Sequence, residues 1–244
     1  MRAKLYSLSL SHPSQAARLM LEHKGIEHEV DDLLPGMHPV QLRLAGFRGG
    51  TVPALRINGR KVQGSLQISH ALEEVKAEPH LYPSDPERRR AVEEAEAWGE
   101  RELQPVPRRI FRWAVVHRAN LRRWLAREAR MPAPDLMATL NIPVARYFAG
   151  KVGADEATVR ADVRGLPQLL DHVEALIADG TLDDDPPNAA DYQIGTAVRV
   201  FIAFDDLRRL VETRPAAADL ALRILPEYPG PIPPVLPADL IPEP

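Results

Sequence analysis

"AKLYSLSLSHPSQAARLMLEHKGIEHEVDD", residues 3–32, decides how the chain begins to fold. Its opening, "AKLYSLS", alternates apolar and polar side chains as a half-buried strand does. From Ser14 the set Ala16, Ala17, Leu19, Met20 and Leu21 recurs at helical spacing, and Gly25 stands where a helix takes its C-terminal glycine. "IEHEVDD" then reads as a second strand. Strand, helix and strand at this spacing make a βαβ unit, whose strands lie parallel through a right-handed crossover. Serines and a histidine crowd the junction between the first strand and the helix. A serine there is by default a helix cap. The same position offers free N–H groups and the positive end of a dipole, which favour a carboxylate or a thiolate.

Working outward, "LLPGMHPVQLRLAGFRGG" is loop with a short helical piece over Val40 to Ala45. "TVPALRINGRKVQGS" predicts two short strands joined by Asn58-Gly59, a strong hairpin signal. Pro53 cannot donate to a ladder and belongs at a strand start, bulge or edge. "SLQISHALEEV" is amphipathic, with Leu66, Ile68, Ala71, Leu72 and Val75 on one side. The order β-α-β-α-β-β-α is therefore complete by residue 77. Beyond the proline-spaced "AEPHLYPSDPE" no strand pattern appears. Residues 86 to 130 read as long helices that Pro105 and Pro107 kink or interrupt, with Trp98, Leu103, Phe111, Trp113 and Trp124 available for packing. Helical patterning resumes in "ADVRGLPQLLDHVEALIADG" and "NAADYQIGTAVRVFIAF". The proline-rich end predicts an extended strap, its Ile232, Val235, Leu236, Leu240 and Ile241 laid on the helices. Two domains follow: α/β over 1–78 and all-helical over 86–244, the latter including a strap over about 215–244.

Composition narrows the function. The formal charge is −3 with no basic block, so no nucleic-acid partner is expected. No apolar run reaches the ~18 residues of a membrane span, so no membrane is expected either. The first residues lack the apolar core of a signal peptide, which points to a cytoplasmic address. The absence of cysteine removes disulfides, thiolate metal sites and a protein thiol nucleophile. His23, His28, His70, His80, His117 and His172 show no ligand-type pairing, so no metal is predicted. His12 reads as an exposed turn residue, Arg18 as the partner of a carboxylate, equally in an internal ion pair or on a ligand, and Asp183 to Asp185 as loop. "RRRAVEEAEAWGERE" reads as a solvated helix face, part of it at a dimer contact.

"KLYSLSLSHPSQAARLMLEHKGIEHEV", "TVPAL", "GSLQISHAL" and "NAADYQIG" together resemble the glutathione S-transferases, with a thioredoxin-like N-terminal domain and an all-helical C-terminal one. The resemblance implies a cis Val52–Pro53 bond, with Val52 pairing its backbone to the cysteinyl unit of glutathione. It implies that Gly64-Ser65 hold the γ-glutamyl carboxylate, and that His38 points toward the glycyl carboxylate. Asn188 and Asp191 match the family's capping box. The helix register is similar to that of the serine-type (theta- or zeta-like) classes. That makes Ser11 the thiolate-stabilising hydroxyl and leaves Tyr6 out of register, with Ser7 at the position of the tyrosine-type residue. Glutathione is then the co-substrate, with no metal, and a hydrophobic electrophile and a homodimer are the expected partners. The implied activity is conjugation. Glutathione-dependent isomerisation or dehalogenation, and a non-catalytic binding or scaffolding module, stand beside it. Two positions depart from the pattern: Gly64 replaces an acidic residue and Thr51 a basic one, so two polar contacts to glutathione are missing.

Overall fold

A computed structural model describes residues 2–128, 131, 133–228 and 231–241. β1 (Ala3–Ser7) forms the middle of a four-stranded sheet of order β2-β1-β3-β4. It runs parallel to β2 (His28–Asp32), with Leu5 opposite Val30. On its other side it runs antiparallel to β3 (Ala54–Ile57), with Leu5 opposite Leu55. The Asn58-Gly59 turn, both residues at positive φ, leads to β4 (Arg60–Gln63). Alternation along β1 sorts its side chains. Leu5 faces α1 (His12–His23) and α3 (Ser65–Val75), in a core that holds Ala16, Ala17, Met20, Leu21, Ile68 and Leu72. Tyr6 faces the other way, into a small cluster with Leu42 of α2 (His38–Leu44), Leu33 and Phe47. The predicted element order holds throughout this part, and α1 starts two residues earlier than its apolar pattern indicates.

Among the described residues the rest of the chain is helical, apart from one isolated bridge. α4 (Pro86–Trp98) is capped by Asp85, which accepts from the Arg88 amide at 2.9 Å. A π-helical turn, Gly99–Leu103, leads into α5 (Pro105–His117). The missing N–H groups of Pro105 and Pro107 are absorbed at this junction, which is the interruption expected of them. α6 (Ala119–Glu128), α7 (Pro134–Leu140) and α8 (Ile142–Lys151) follow. No element was predicted for the last two, whose outward faces carry Leu136, Leu140, Val144 and Tyr147 and so lack a clean apolar stripe. α9 (Glu156–Ala178) tolerates Pro167.

α10 (Ala189–Ala203) lies at the centre, packed on α1, α4 and, further along the chain, α12 (Pro215–Ile224). Both halves of its capping box form: the Asp191 amide donates to Asn188 Oδ1 at 3.0 Å, and the Asn188 amide donates to Asp191 Oδ2 at 2.9 Å. α11 (Arg208–Glu212) joins α10 to α12. Because α12 occupies Pro215–Ile224, the extended segment begins ten residues later than the predicted 215. Proline at N1 followed by three alanines starts a helix there. The strap itself lies on the helices as expected. Ile232 donates to the Ala203 carbonyl at 2.8 Å, and the Asp206 carboxylate accepts from the Val235 and Leu236 amides at 2.7 Å each. Ile232, Val235, Leu236 and Leu240 are buried. Residues 242–244 of the predicted strap lie outside the described residues.

One charged residue of the stretch read as a solvated face is not solvated. Arg89–Glu93 and Arg90–Glu94 are exposed pairs one turn apart, but Glu96 is fully buried. It accepts from Ser69 at 2.6 Å, Tyr82 at 2.7 Å and Gln193 at 2.9 Å, tying α3, α4 and α10 together. Burial raises its carboxyl above the usual range despite these donors.

Candidate functional site

Strand register gathers the predicted residues. Tyr6 pairs with Ala54 and Ala54 with Gln63, so the end of β1, the start of β3 and the end of β4 lie at one edge of the sheet. Ser11 to Ser14, Val52-Pro53 and Gly64-Ser65 follow or precede those strand ends directly. Two helix N-termini and one free strand extension therefore converge there.

Ser11 occupies the N-cap position of α1 with extended backbone, but its hydroxyl makes no capping bond. Its amide donates to the Leu8 carbonyl at 2.8 Å, closing the turn that presents it. The Tyr228 hydroxyl, from the C-terminal segment, donates to the Leu10 carbonyl at 2.8 Å and holds that turn from above. The half-buried Ser11 hydroxyl is thus positioned by its backbone and left uncommitted. Tyr6 is unsuited to that role: it is 7% exposed, with its ring edge-on to Phe47 at 5.3 Å.

The bond before Pro53 is cis, as the resemblance implied. Neither the amide nor the carbonyl of Val52 bonds to any described residue, so the backbone that would extend β3 is open to an extended ligand. Gln63 fixes this loop, accepting from the Gly49 amide at 3.0 Å and donating to the Thr51 carbonyl at 2.7 Å. Gly64 has φ +97°, and a Cβ there would lie 2.1 Å from Gln67 Oε1. Glycine suits that turn and any larger residue strains it. Ser65 opens α3 and is 2% exposed. Gln104 of the helical part brings its Nε2 to 3.4 Å from Ser65 Oγ, a long contact rather than a strong bond.

Two histidines at helix starts are buried, one of them against expectation. His12 is buried, not exposed: α1 begins at His12 itself, which turns the ring under the helical part. Burial, with the Arg108 charge nearby, pushes its pKa down to about 3. His38 opens α2 and is also buried, its ring stacked on Phe148 of α8 at 5.3 Å. Burial and the Arg112 charge push it down to about 4. Both are therefore neutral imidazoles at neutral pH. Asn188 and Asp191 lie in their capping box, apart from this edge.

Sequence reading missed Gln63, Gln104, Arg108, Arg112 and Phe148. Gln63 and Phe148 carry no local signal, since only the fold brings them in. Gln104, Arg108 and Arg112 did carry one: they recur every four residues with no Asp or Glu three or four positions from either arginine. No group of three or more His, Cys, Asp or Glu among the described residues is placed to hold a metal ion. No described helix is long and apolar enough to cross a membrane.

Residues 5–80 match the family described as "Glutathione S-transferase, N-terminal domain". A maleylacetoacetate isomerase of Mus musculus is 29% identical over 179 residues, spanning 68% of this chain and 76% of that protein. Among solved structures, a beta-etherase of Sphingobium sp. strain SYK-6 superposes with a TM-score of 0.70 at 20% identity, covering 94% of this chain and 96% of the other. A rice glutathione S-transferase solved in complex with glutathione gives a TM-score of 0.63 at 19% identity, covering 94% and 91%.

Proposed function

We propose that this chain, whose residues 5–80 match the glutathione S-transferase N-terminal domain and whose fold superposes on a rice glutathione S-transferase, is a glutathione-dependent enzyme of that family. Ser11 stabilises the glutathione thiolate and presents it to a hydrophobic electrophile. The observation that carries this is the Ser11 hydroxyl, which stands at a helix start and caps nothing. Val52 lends its free backbone to the cysteinyl unit, and Gly64-Ser65 at the start of α3 take the γ-glutamyl carboxylate. Residues 1–78 supply the thiol site, residues 86–244 the wall facing the electrophile, and the working assembly is a homodimer.

The energetics suffice. A free thiol titrates near ~8.5, and lowering that by one to two units needs roughly 1.4 to 2.7 kcal/mol. A hydroxyl donating to a charged acceptor contributes about 1.5 to 3 kcal/mol, and a helix N-terminus about 0.3 to 1 kcal/mol. No general base is needed, which agrees with a site whose two histidines are buried. The thiolate displaces a leaving group or adds to an activated double bond, and the proton shed by the thiol passes to solvent.

Isomerisation is the second reading, favoured by the similarity to a maleylacetoacetate isomerase. There the same thiolate adds to a conjugated cis double bond, the bond rotates, and elimination returns glutathione. Both readings require Ser11. Ser11→Ala is expected to lower glutathione conjugation of 1-chloro-2,4-dinitrobenzene at least tenfold at neutral pH. Unchanged turnover, with glutathione still required, would overturn the role.

A further inference from the structure

We propose that Arg108 and Arg112 form a carboxylate-binding site beside the start of α1, so that the electrophile accepted there carries an anionic group. The two stand four residues apart on α5 and therefore share one face, where like charges repel. Neither forms an ion pair with any described residue, whereas Arg109, between them in sequence, is held by both oxygens of Asp162 at 2.6 Å. Arg108 donates only to the neutral Gln104 Oε1 at 2.9 Å, and Arg112 lies over the Phe148 ring at 5.0 Å. Both residues are half-buried. Burial and mutual repulsion bring Arg112 down to about 10, the mark of a charge held without compensation. Such a pair is costly in the free protein and becomes favourable when an anion enters between the two forks.

The surroundings agree. His12 and His38, the neighbours that feel these charges, supply no negative charge, and Glu100, the carboxylate whose charge reaches Arg108, forms no ion pair with it. His12 Nε2, Ser14 Oγ and His38 Nδ1 are buried polar atoms without a partner. Buried polar atoms in a native protein are normally satisfied, so three orphans at the starts of α1 and α2 point to a polar ligand. Along α5, Arg108 bonds to Gln104, which reaches Ser65, and Arg112 lies over the Phe148 ring that stacks on His38. One row of side chains thus spans the edge where the thiol is proposed to bind.

The inference rests on the glutathione reading for the thiol but not for the anion. A carboxylate at the arginines could belong to the electrophile or to glutathione itself, and the electrophile is the source proposed. The test compares 4-chloro-3-nitrobenzoate with its methyl ester at saturating glutathione, in the unaltered protein and in R108Q/R112Q. The ratio of kcat/KM for acid over ester is expected to fall at least tenfold in the variant. An unchanged ratio overturns the inference, including the case in which only glutathione affinity, read by calorimetry, falls tenfold. If the unaltered protein conjugates neither compound, the thiol reading fails and the anion site is judged by thermal shift without glutathione. A larger shift with the acid than with the ester, lost in R108Q/R112Q, supports the site; no such difference overturns it.

Discussion

At the scale of single residues, the site is built from groups whose usual local partners have been withheld. Ser11 sits at an N-cap without capping, Val52 leaves its backbone unpaired, and His12 and His38 keep one unpartnered ring nitrogen each. The histidines make this testable through pH. Their folded-state values, about 3 and about 4, lie below the ordinary 6.5. The unfolded chain therefore binds more protons between those values, and folding stability is complete above pH 6.5 and lost as pH falls toward 4. The slope is at most roughly 1.4 kcal/mol per pH unit for each histidine. Glu96 and Asp191, both raised by burial, give a slope of the opposite sign that cancels when variants are compared. Denaturant unfolding of H12Q/H38Q between pH 7 and 4 is expected to give a flatter curve than the unaltered protein. Parallel curves would show that the two imidazoles are not held neutral by the fold.

At the scale of elements, α10 shows what local sequence can specify. "NAAD" encodes two reciprocal hydrogen bonds before a run of apolar residues, and both bonds form. Asn188→Ala is expected to lower unfolding free energy by about 1 kcal/mol in a chemical denaturation curve, without altering KM for glutathione. A shift in KM alone would mean that the cap acts on the site. The sheet was legible for similar reasons. Asn58-Gly59 dictates its turn, and alternation in β1 separates Leu5 from Tyr6. α7 and α8 were not legible, because their apolar residues are divided between a buried face and an exposed one. The end of the chain was half legible: its apolar residues announced a strap, but "RPAAADLALRI" is a helix by propensity that the surrounding prolines disguised. His12 and Glu96 were misread because their burial is imposed by helices distant in sequence. No local pattern can announce a partner 97 residues away, as Gln193 is for Glu96.

At the scale of the molecule, the α/β part and the helices meet mainly where α1 packs on α10, and a second seam, where the start of α5 approaches Ser65, is where chemistry is concentrated. Gln104 touches Ser65 and Phe148 stacks on His38, while Tyr228, near the end of the described chain, steadies the turn that presents Ser11. The helical part therefore does more than cover the sheet, since it supplies charges and surfaces beside the edge where the thiol is proposed to bind. The residues proposed for the thiol half of this seam come from short motifs in the first 65 residues. The other half required three-dimensional placement, because α5 reads in isolation as one more charged helix. The account depends on a hydroxyl lowering the pKa of a bound thiol, and that quantity can be measured directly by following thiolate ultraviolet absorbance of protein-bound glutathione against pH. A midpoint one to two units below the free value of about 8.5, returning toward it in Ser11→Ala, is the predicted result; the same midpoint in both proteins would contradict it.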